Sequence, residues 1–405
     1  MTPAAGRSRR VLSGVEQAGG TGTRSRYDLP MTGRVPDQGD TVTGRLDADA
    51  GQEVRFCRSR DGVRLAYAVH GQGPPLVIDS CWLSHLQYDW QSPVWRHFLA
   101  DLGAICTVIR YDERGYGLSD WEVGEYSLQS RVADLAAIVE AANLDRFALL
   151  GMSQGGPVAI DYAVRHPDRV TRLILFGAGS TLARGQDSEL LDTFLSMVRV
   201  GWARPDSLFR RVFTNMLIPG ASEEQMRWVD ALQRMSTSTD NAVRFRAERQ
   251  KIDVTDLLPR VTVPTLVLHS HGDATVRFAE ARILASSIPG ARLVPLASSN
   301  HILLADEPAR HVFIGEVAAF LEPDRGTAVP VPVQVPAALA DLTGREFEIL
   351  RMAAAGLGNR DIAESLVLSV RTIERHLSNA YLKLGVSGRS GRTAAVADLV
   401  RRGLA

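Results

Sequence analysis

Residues 147–156 read Phe-Ala-Leu-Leu-Gly-Met-Ser-Gln-Gly-Gly, and the fold turns on how that stretch is read. Four apolar residues form a run suited to a buried strand, and Pro157 to Arg165 has the pattern of a helix. Between them stands Gly151-Met152-Ser153-Gln154-Gly155, a serine flanked by glycines at two positions on either side. A strand that reverses at once into a helix needs a sharp, strained turn, and a Cβ at either flanking position would crowd it. The five-residue pattern alone is weak in a chain with 35 glycines. Its flanks give it meaning, because strand, turn and helix put Ser153 at the tip with a helix N-terminus behind it.

Working outward, short β-branched runs alternate with helical stretches: Val63–Val69, Pro75–Ile78, Ile105–Tyr111, Leu173–Phe176, Thr265–His269 and Arg292–Leu296. This alternation predicts an α/β fold with a mainly parallel sheet and helices on both faces. Residues 181–258 break the rhythm with helical periodicity and no strand candidate, which predicts a helical cap inserted after one strand.

A serine hydroxyl becomes a nucleophile when a base removes its proton and a carboxylate orients that base. Downstream, the Thr265–His269 strand leads into Gly272-Asp273, and after the next strand comes Asn300-His301. The order Ser, Asp, His, the stretch from Tyr111 to Asp120 and the stretch from Ser299 to Pro308 together resemble the α/β-hydrolase fold family over residues 51–321. The resemblance implies Ser153 as nucleophile, Asp273 as orienting carboxylate and His301 as base. It also implies an oxyanion hole from two backbone N–H groups, Gln154 and a residue of the loop after the third strand. The family usually carries His-Gly there; this chain reads Ser80-Cys81-Trp82, and Trp82 is the expected donor. A serine at the elbow argues against haloalkane dehalogenase or epoxide hydrolase chemistry, which in this fold uses an aspartate. His269, His271, His85 and Asp79 read as structural or pocket-lining. The cap's Trp202, Phe209, Phe213, Met216, Trp228 and Met235 read mostly as cap core, and their number predicts an apolar acyl or ring-bearing ligand.

The charge balance of 46 basic against 46 acidic residues hides a division of labour. Residues 1–34 hold six Arg against Glu16 and Asp28, about +4, and residues 341–405 hold ten basic against seven acidic, about +3, leaving the middle at about −7. Residues 1–50 lack periodicity and are expected to be disordered. Residues 322–340 carry Pro323, Pro330, Pro332 and Pro336 and read as an extended linker. No apolar run is long enough to span a bilayer, and Arg9-Arg10 is followed by polar residues instead of a signal core, so the cytoplasm is the expected location. Cys57, Cys81 and Cys106 have neither metal-ligand nor disulfide-framework spacing, and no metal or cofactor is expected.

Residues 341–405 then read as a small all-α domain. Thr343-Gly-Arg-Glu346 is a capping box, Gly356 ends the first helix, and Asn359 and Ser369 are expected caps of the second and third. The third helix sets Val370, Ile373, Leu377, Ala380 and Leu384 on one face, with polar and basic residues opposite. Leu342 to Glu346, Ala355 to Asn359, Asp361 to Ala363, Arg371 to Leu377 and Lys383 to Val386 together resemble the LuxR-type helix-turn-helix. That resemblance implies binding of double-stranded DNA, with Glu374, Arg375 and Ser378 toward base edges and Arg371, Thr372, Asn379 and Lys383 toward phosphates. A fourth helix, Arg392–Arg402, is the expected dimer surface of a homodimer. The combined expectation is a transcriptional regulator whose hydrolase-like domain senses an ester, lactone or thioester and cleaves it. Two alternatives stay open: a receptor that binds without cleaving, and a metabolic serine hydrolase with a vestigial DNA-binding tail.

Overall fold

The computed structural model describes residues 51–181, 188–204, 208–321, 342–354, 356–366, 369–384, 386 and 391–401. The expected disordered segment 1–50 and the linker 322–340 lie outside the described residues.

Eight strands form one sheet: β1 Gln52–Arg58, β2 Arg64–Gly71, β3 Pro75–Asp79, β4 Thr107–Tyr111, β5 Phe147–Met152, β6 Val170–Phe176, β7 Thr265–Ser270 and β8 Arg292–Leu296. Their order is β1-β2-β4-β3-β5-β6-β7-β8. β1 and β2 pair antiparallel, as do β2 and β4, and every other pairing is parallel. The central strands read as continuous apolar runs because both of their faces are covered. Leu149, Leu173, Leu175 and Val267 pack on one face, whereas Leu150, Ile174, Phe176 and Leu268, alternating with them, pack on the other. One strand was not anticipated: β1 is an edge strand whose residues are exposed or half-buried, so it carries no apolar run. Ile105, read as the start of a strand, is instead the last residue of a helix.

Helices α1 Leu86–Trp90, α2 Arg96–Ile105, α3 Leu128–Ala141 and α4 Gly155–Arg165 connect the first strands, and α9 Phe278–Ser287 and α10 Pro308–Leu321 flank the last. Between β6 and β7 come α5 Ser188–Gly201, α6 Leu208–Leu217, α7 Glu223–Ser236 and α8 Thr239–Arg249, the helical cap expected at that point. Because β3 leads to β4 on one side and β5 lies on its other side, the sheet switches direction between β3 and β5. A crevice opens outside the carboxyl ends of strands at such a point. Both Trp82, after β3, and Ser153, after β5, stand there.

The C-terminal helices are α11 Gly344–Ala354, α12 Asn359–Ser365, α13 Val370–Lys383 and α14 Gly391–Arg401. Phe347, Leu350, Ile362, Ile373, Leu377, Ala395 and Leu399 share one buried cluster. Gly356 ends α11 at φ +89°, a conformation an L side chain resists. Asn359 does not cap α12; it opens the helix, its Oδ1 accepts from Arg392 Nη1 at 2.6 Å, and the Asp361 carboxylate accepts the Gly358 N–H at 3.0 Å. Val370, expected in the core, is 39% exposed.

The capping box is present: Thr343 Oγ1 accepts the Glu346 N–H at 3.2 Å, and Glu346 Oε2 accepts the Thr343 N–H at 2.8 Å. The same Glu346 oxygen receives Lys383 Nζ at 2.6 Å, tying the end of α13 to the start of α11. Burial works against the charge of Glu346, but Lys383 and Thr343 outweigh it and hold its carboxyl below the ordinary value. Glu346→Ala is therefore expected to lower the domain's stability by about 1–2 kcal/mol in urea unfolding. Glu346→Gln, which keeps the box, should lose less.

Candidate active site and recognition helix

The sharp turn expected at Ser153 is there: Ser153 has φ +54°, one of two non-glycine residues among those described with positive φ. Such a conformation is costly for a residue with a Cβ and persists where surrounding bonds over-determine it. Here the Ser153 N–H donates to Phe176 O of β6 at 2.9 Å, and the Ser153 carbonyl accepts from Gly156 at 3.1 Å. The flanking glycines are required by packing. A Cβ at Gly155 would run into the backbone carbonyl of Asp79, and one at Gly151 would lie 2.7 Å from the Ala159 Cβ.

Phe176 is followed by Gly177, at φ +56°, and a Cβ built there would lie 3.1 Å from His301 Cε1 and 3.7 Å from Asp273 Oδ2. The end of β6 thus touches the serine turn with one residue and the His301–Asp273 pair with the next. His301 Nδ1 and Asp273 Oδ2 are 2.6 Å apart, and both side chains are buried. Burial opposes the Asp273 charge, but the His301 imidazole, its hydrogen bond and His269 together hold the carboxyl below its ordinary value. The second oxygen, Oδ1, accepts backbone N–H groups of Thr275 and Val276 at 2.7 and 3.1 Å. The carboxylate is therefore fixed and ionised, and it holds the imidazole so that its other nitrogen can accept a proton. That nitrogen, His301 Nε2, is buried and has no hydrogen-bond partner among the described residues. Its backbone N–H donates to Leu217 O of the cap at 2.8 Å, so the cap helps set the ring's position. His269, 3.6 Å from Asp273, spends its Nε2 on Val276 O at 2.8 Å, in keeping with a structural role.

Gln154 is the N-cap residue of α4. A helix cannot satisfy its own first N–H groups, which makes this end a natural anion site. Trp82 lies across the crevice, its indole Nε1 donating to the Tyr116 hydroxyl at 2.8 Å. Its ring packs on Trp202, Phe213 and Phe194 with centroids 5.5, 4.9 and 6.0 Å away. Trp202, Phe213 and Trp228 are buried as cap core; Phe209 and Met235 are half-buried, and Met216 is exposed. His85 caps α1 by accepting the Tyr88 N–H. Asp79 lies buried under the start of α4 and accepts the Tyr111 hydroxyl at 2.9 Å.

A polar network beside the serine was missed from sequence. Arg131 of α3 pairs with Glu113 at 2.5 Å, and Glu113 accepts from the Gln154 side chain at 3.2 Å. Arg114 pairs with Asp134 at 2.6 Å and Asp61 at 2.8 Å. The Tyr111–Asp120 stretch contained the Glu113 half, but nothing in local spacing marks Arg131 as its partner.

On α13, Ser369 caps by accepting the Thr372 N–H at 3.1 Å. Ile373, Leu377 and Ala380 are buried, while Arg371, Glu374, Arg375, Ser378 and Asn379 are exposed on the other faces. Thr372 is half-buried, its hydroxyl 2.8 Å from that of Ser369. Lys383 is exposed but carries the ion pair to Glu346, a competing use that helical spacing does not reveal. No helix among the described residues is long and apolar enough to cross a membrane, and no group of three His, Cys, Asp or Glu could hold a metal ion there.

This fold, with a serine at the strained turn and a buried His–Asp pair beside it, defines an α/β hydrolase architecture. The chain belongs to the α/β hydrolase fold family, which residues 74–308 match, and residues 340–395 match the luxR family of bacterial regulatory proteins. It is thus a regulator with a hydrolase-fold domain and a LuxR-type DNA-binding domain. It is 37% identical to a 2-hydroxy-6-oxo-2,4-heptadienoate hydrolase of Pseudomonas putida over 304 residues, covering 69% of this chain and 87% of that one. It is 26% identical to the AB hydrolase superfamily protein YisY of Bacillus subtilis over 258 residues, 61% of this chain and 91% of that one. A solved hydrolase structure from Pseudomonas aeruginosa PA01 superposes with a TM-score of 0.57 at 26% identity, covering 68% of this chain and 99% of that one.

Proposed function

We propose that the hydrolase-fold domain cleaves a small ester, lactone or thioester through Ser153, His301 and Asp273, and that occupancy or turnover of this site governs DNA binding by a homodimer. The observation that carries the reading is the 2.6 Å pair of His301 with Asp273 beside Gly177, the residue after the Phe176 carbonyl that holds the Ser153 N–H, with His301 Nε2 buried and without a hydrogen-bond partner among the described residues. In this mechanism His301 Nε2 takes the Ser153 proton as Oγ attacks the carbonyl carbon. The N–H groups of Gln154 and Trp82 stabilise the oxyanion. The imidazolium, stabilised by Asp273, gives its proton to the departing oxygen or sulfur, and water then releases the acyl group by the reverse relay. The aromatic wall of Trp82, Phe194 and Phe213 suits an apolar acyl or ring-bearing body.

In the same reading Glu374, Arg375 and Ser378 meet base edges, and Arg371, Thr372 and Asn379 meet phosphates, with Lys383 shared between phosphate and Glu346. A second reading, a receptor that binds without cleaving, draws on the Ser80-Cys81-Trp82 loop, which lacks the family's usual His-Gly before the donor. A labelled fluorophosphonate separates the two. The expected result is labelling of the purified chain that disappears in Ser153→Ala; a wild-type chain that stays unlabelled favours the receptor.

A further inference from the structure

Away from Ser153 and His301, the described residues hold a second concentration of unmet hydrogen-bonding capacity, and it is cationic. Arg249, the last residue of α8, is 3% exposed, and Arg131 is 1% exposed. In both, Nε and Nη1 are buried without a hydrogen-bond partner among the described residues. A guanidinium keeps its charge in a protein, and a buried charge lacking partners is strongly unfavourable. Unsatisfied groups of this kind call for an explanation, and a ligand that completes them is one.

The two arginines are neighbours. Phe245, one turn before Arg249 and on the same face of α8, has its ring centroid 5.1 Å from Arg131 Cζ. Arg249 also lies within electrostatic range of Arg131, Glu113 and Asp79. Glu113 answers Arg131 at 2.5 Å, and Arg131 Nη2 also reaches the Gln154 carbonyl at 3.4 Å, which ties the pair to the residue following Ser153. The remaining acid, Asp79, has its Oδ2 occupied by the Tyr111 hydroxyl. Burial and the Glu113 charge push the Asp79 carboxyl well above the carboxylate range, and its Oδ1 is buried without a hydrogen-bond partner among the described residues. Arg249 itself makes no ion pair with a described residue, and its Nε and Nη1 stay without a partner there. Arg246, on the same face of α8, lies over the Phe194 ring at 5.3 Å, and that ring is 6.0 Å from Trp82. The helix that carries Arg249 thus reaches the aromatic wall through Arg246 and Phe194, and Arg131, beside Phe245 of that helix, reaches the residue after Ser153.

We propose that Arg249, backed by Arg131, is a carboxylate subsite of the Ser153 pocket, so that the ligand is an apolar body bearing an acid group. The cleavage half of this inference rests on the serine-hydrolase reading; the binding half does not.

Purified full chain tests it with the mono-4-nitrophenyl esters of succinate, glutarate and adipate against 4-nitrophenyl butyrate. The expected result is a kcat/KM roughly 10-fold or more higher for at least one acidic ester, and a fall in that ratio of on the order of 30-fold in Arg249→Gln. Arg249→Lys, which keeps the charge but loses the planar fork, should fall between. Binding is read separately in Ser153→Ala, whose Tm should rise with millimolar succinate, glutarate or adipate and should not respond once Arg249→Gln is added. If the Arg249 variants do not fold, the wild-type ester ratio and the diacid shift of Ser153→Ala decide alone. Equal rates on charged and neutral esters with no diacid shift overturn the subsite and leave the serine reading standing, as does a shift undiminished by Arg249→Gln. Absence of both turnover and fluorophosphonate labelling overturns the serine reading, and the diacid shift still decides the subsite.

Discussion

Ser153→Ala should remove ester hydrolysis almost entirely, lowering kcat by roughly 10⁴- to 10⁶-fold. The substitution deletes the attacking oxygen while leaving the left-handed turn to a residue that, like serine, has one Cβ, so the change in stability should stay small. Asp273→Asn should approach the same loss, on the order of 10⁴-fold in kcat. An asparagine can turn its NH₂ toward His301 Nδ1, which then becomes the acceptor and leaves Nε2 protonated and unable to take the serine proton. His269 cannot take over this orienting task, since its Nε2 is already bonded to Val276 O at 2.8 Å. The double variant should be barely worse than Ser153→Ala, because residues of one relay do not contribute additively. Steady-state kinetics on an activated ester, with circular dichroism to confirm folding, reads all three. Turnover in Ser153→Ala above a tenth of wild type would remove the serine from the mechanism.

That the serine turn could be read from sequence while the arginine cluster could not follows from how each is specified. The turn is local: a strained backbone over five residues demands glycines at fixed offsets, and the flanking apolar run and helix declare themselves by period. The His301–Asp273 pair lies 28 residues apart but hangs on two successive strand ends, the places that the resemblance to α/β hydrolases implies for the two residues. Glu113, Arg131, Gln154 and Arg249 come from a loop, a wall helix, the turn and the cap. Their meeting depends on how α3 and α8 pack, and each arginine alone looks like an ordinary helix-surface charge. The edge strand β1 escaped for a related reason, since half-burial leaves no apolar run to mark it. Val370 and Lys383 show the same limit in the small domain. Helical period puts both on a plausible face, but a helix end can expose the one and an ion pair across α11 can claim the other.

The two domains make their functions separable by mutation, and Leu377→Asp should show it. Leu377 is 3% exposed at the centre of a buried cluster formed by residues of the C-terminal domain itself. Placing an unpaired carboxylate there costs more than about 4 kcal/mol, at the upper end of single-substitution effects. A domain of this size buries a smaller fraction of its surface than a large one and has a correspondingly thin stability margin, so the whole helical unit should unfold. DNA affinity for the chain's operator should then drop by more than about 100-fold, while fluorophosphonate labelling at Ser153 stays at the wild-type level. Arg375→Ala provides the contrast. Arg375 is exposed on α13, so its truncation should leave the domain's unfolding transition in place. Loss of a base-edge contact should weaken specific binding by about 1–3 kcal/mol and relax discrimination at one base position. Arg371→Ala, a phosphate contact in the same scheme, should instead weaken all sequences alike and reduce the salt dependence by about one ion per site. Electrophoretic shift across a salt series separates these outcomes, and equal salt slopes for Arg375→Ala and Arg371→Ala would refute the assignment of one to bases and the other to the backbone.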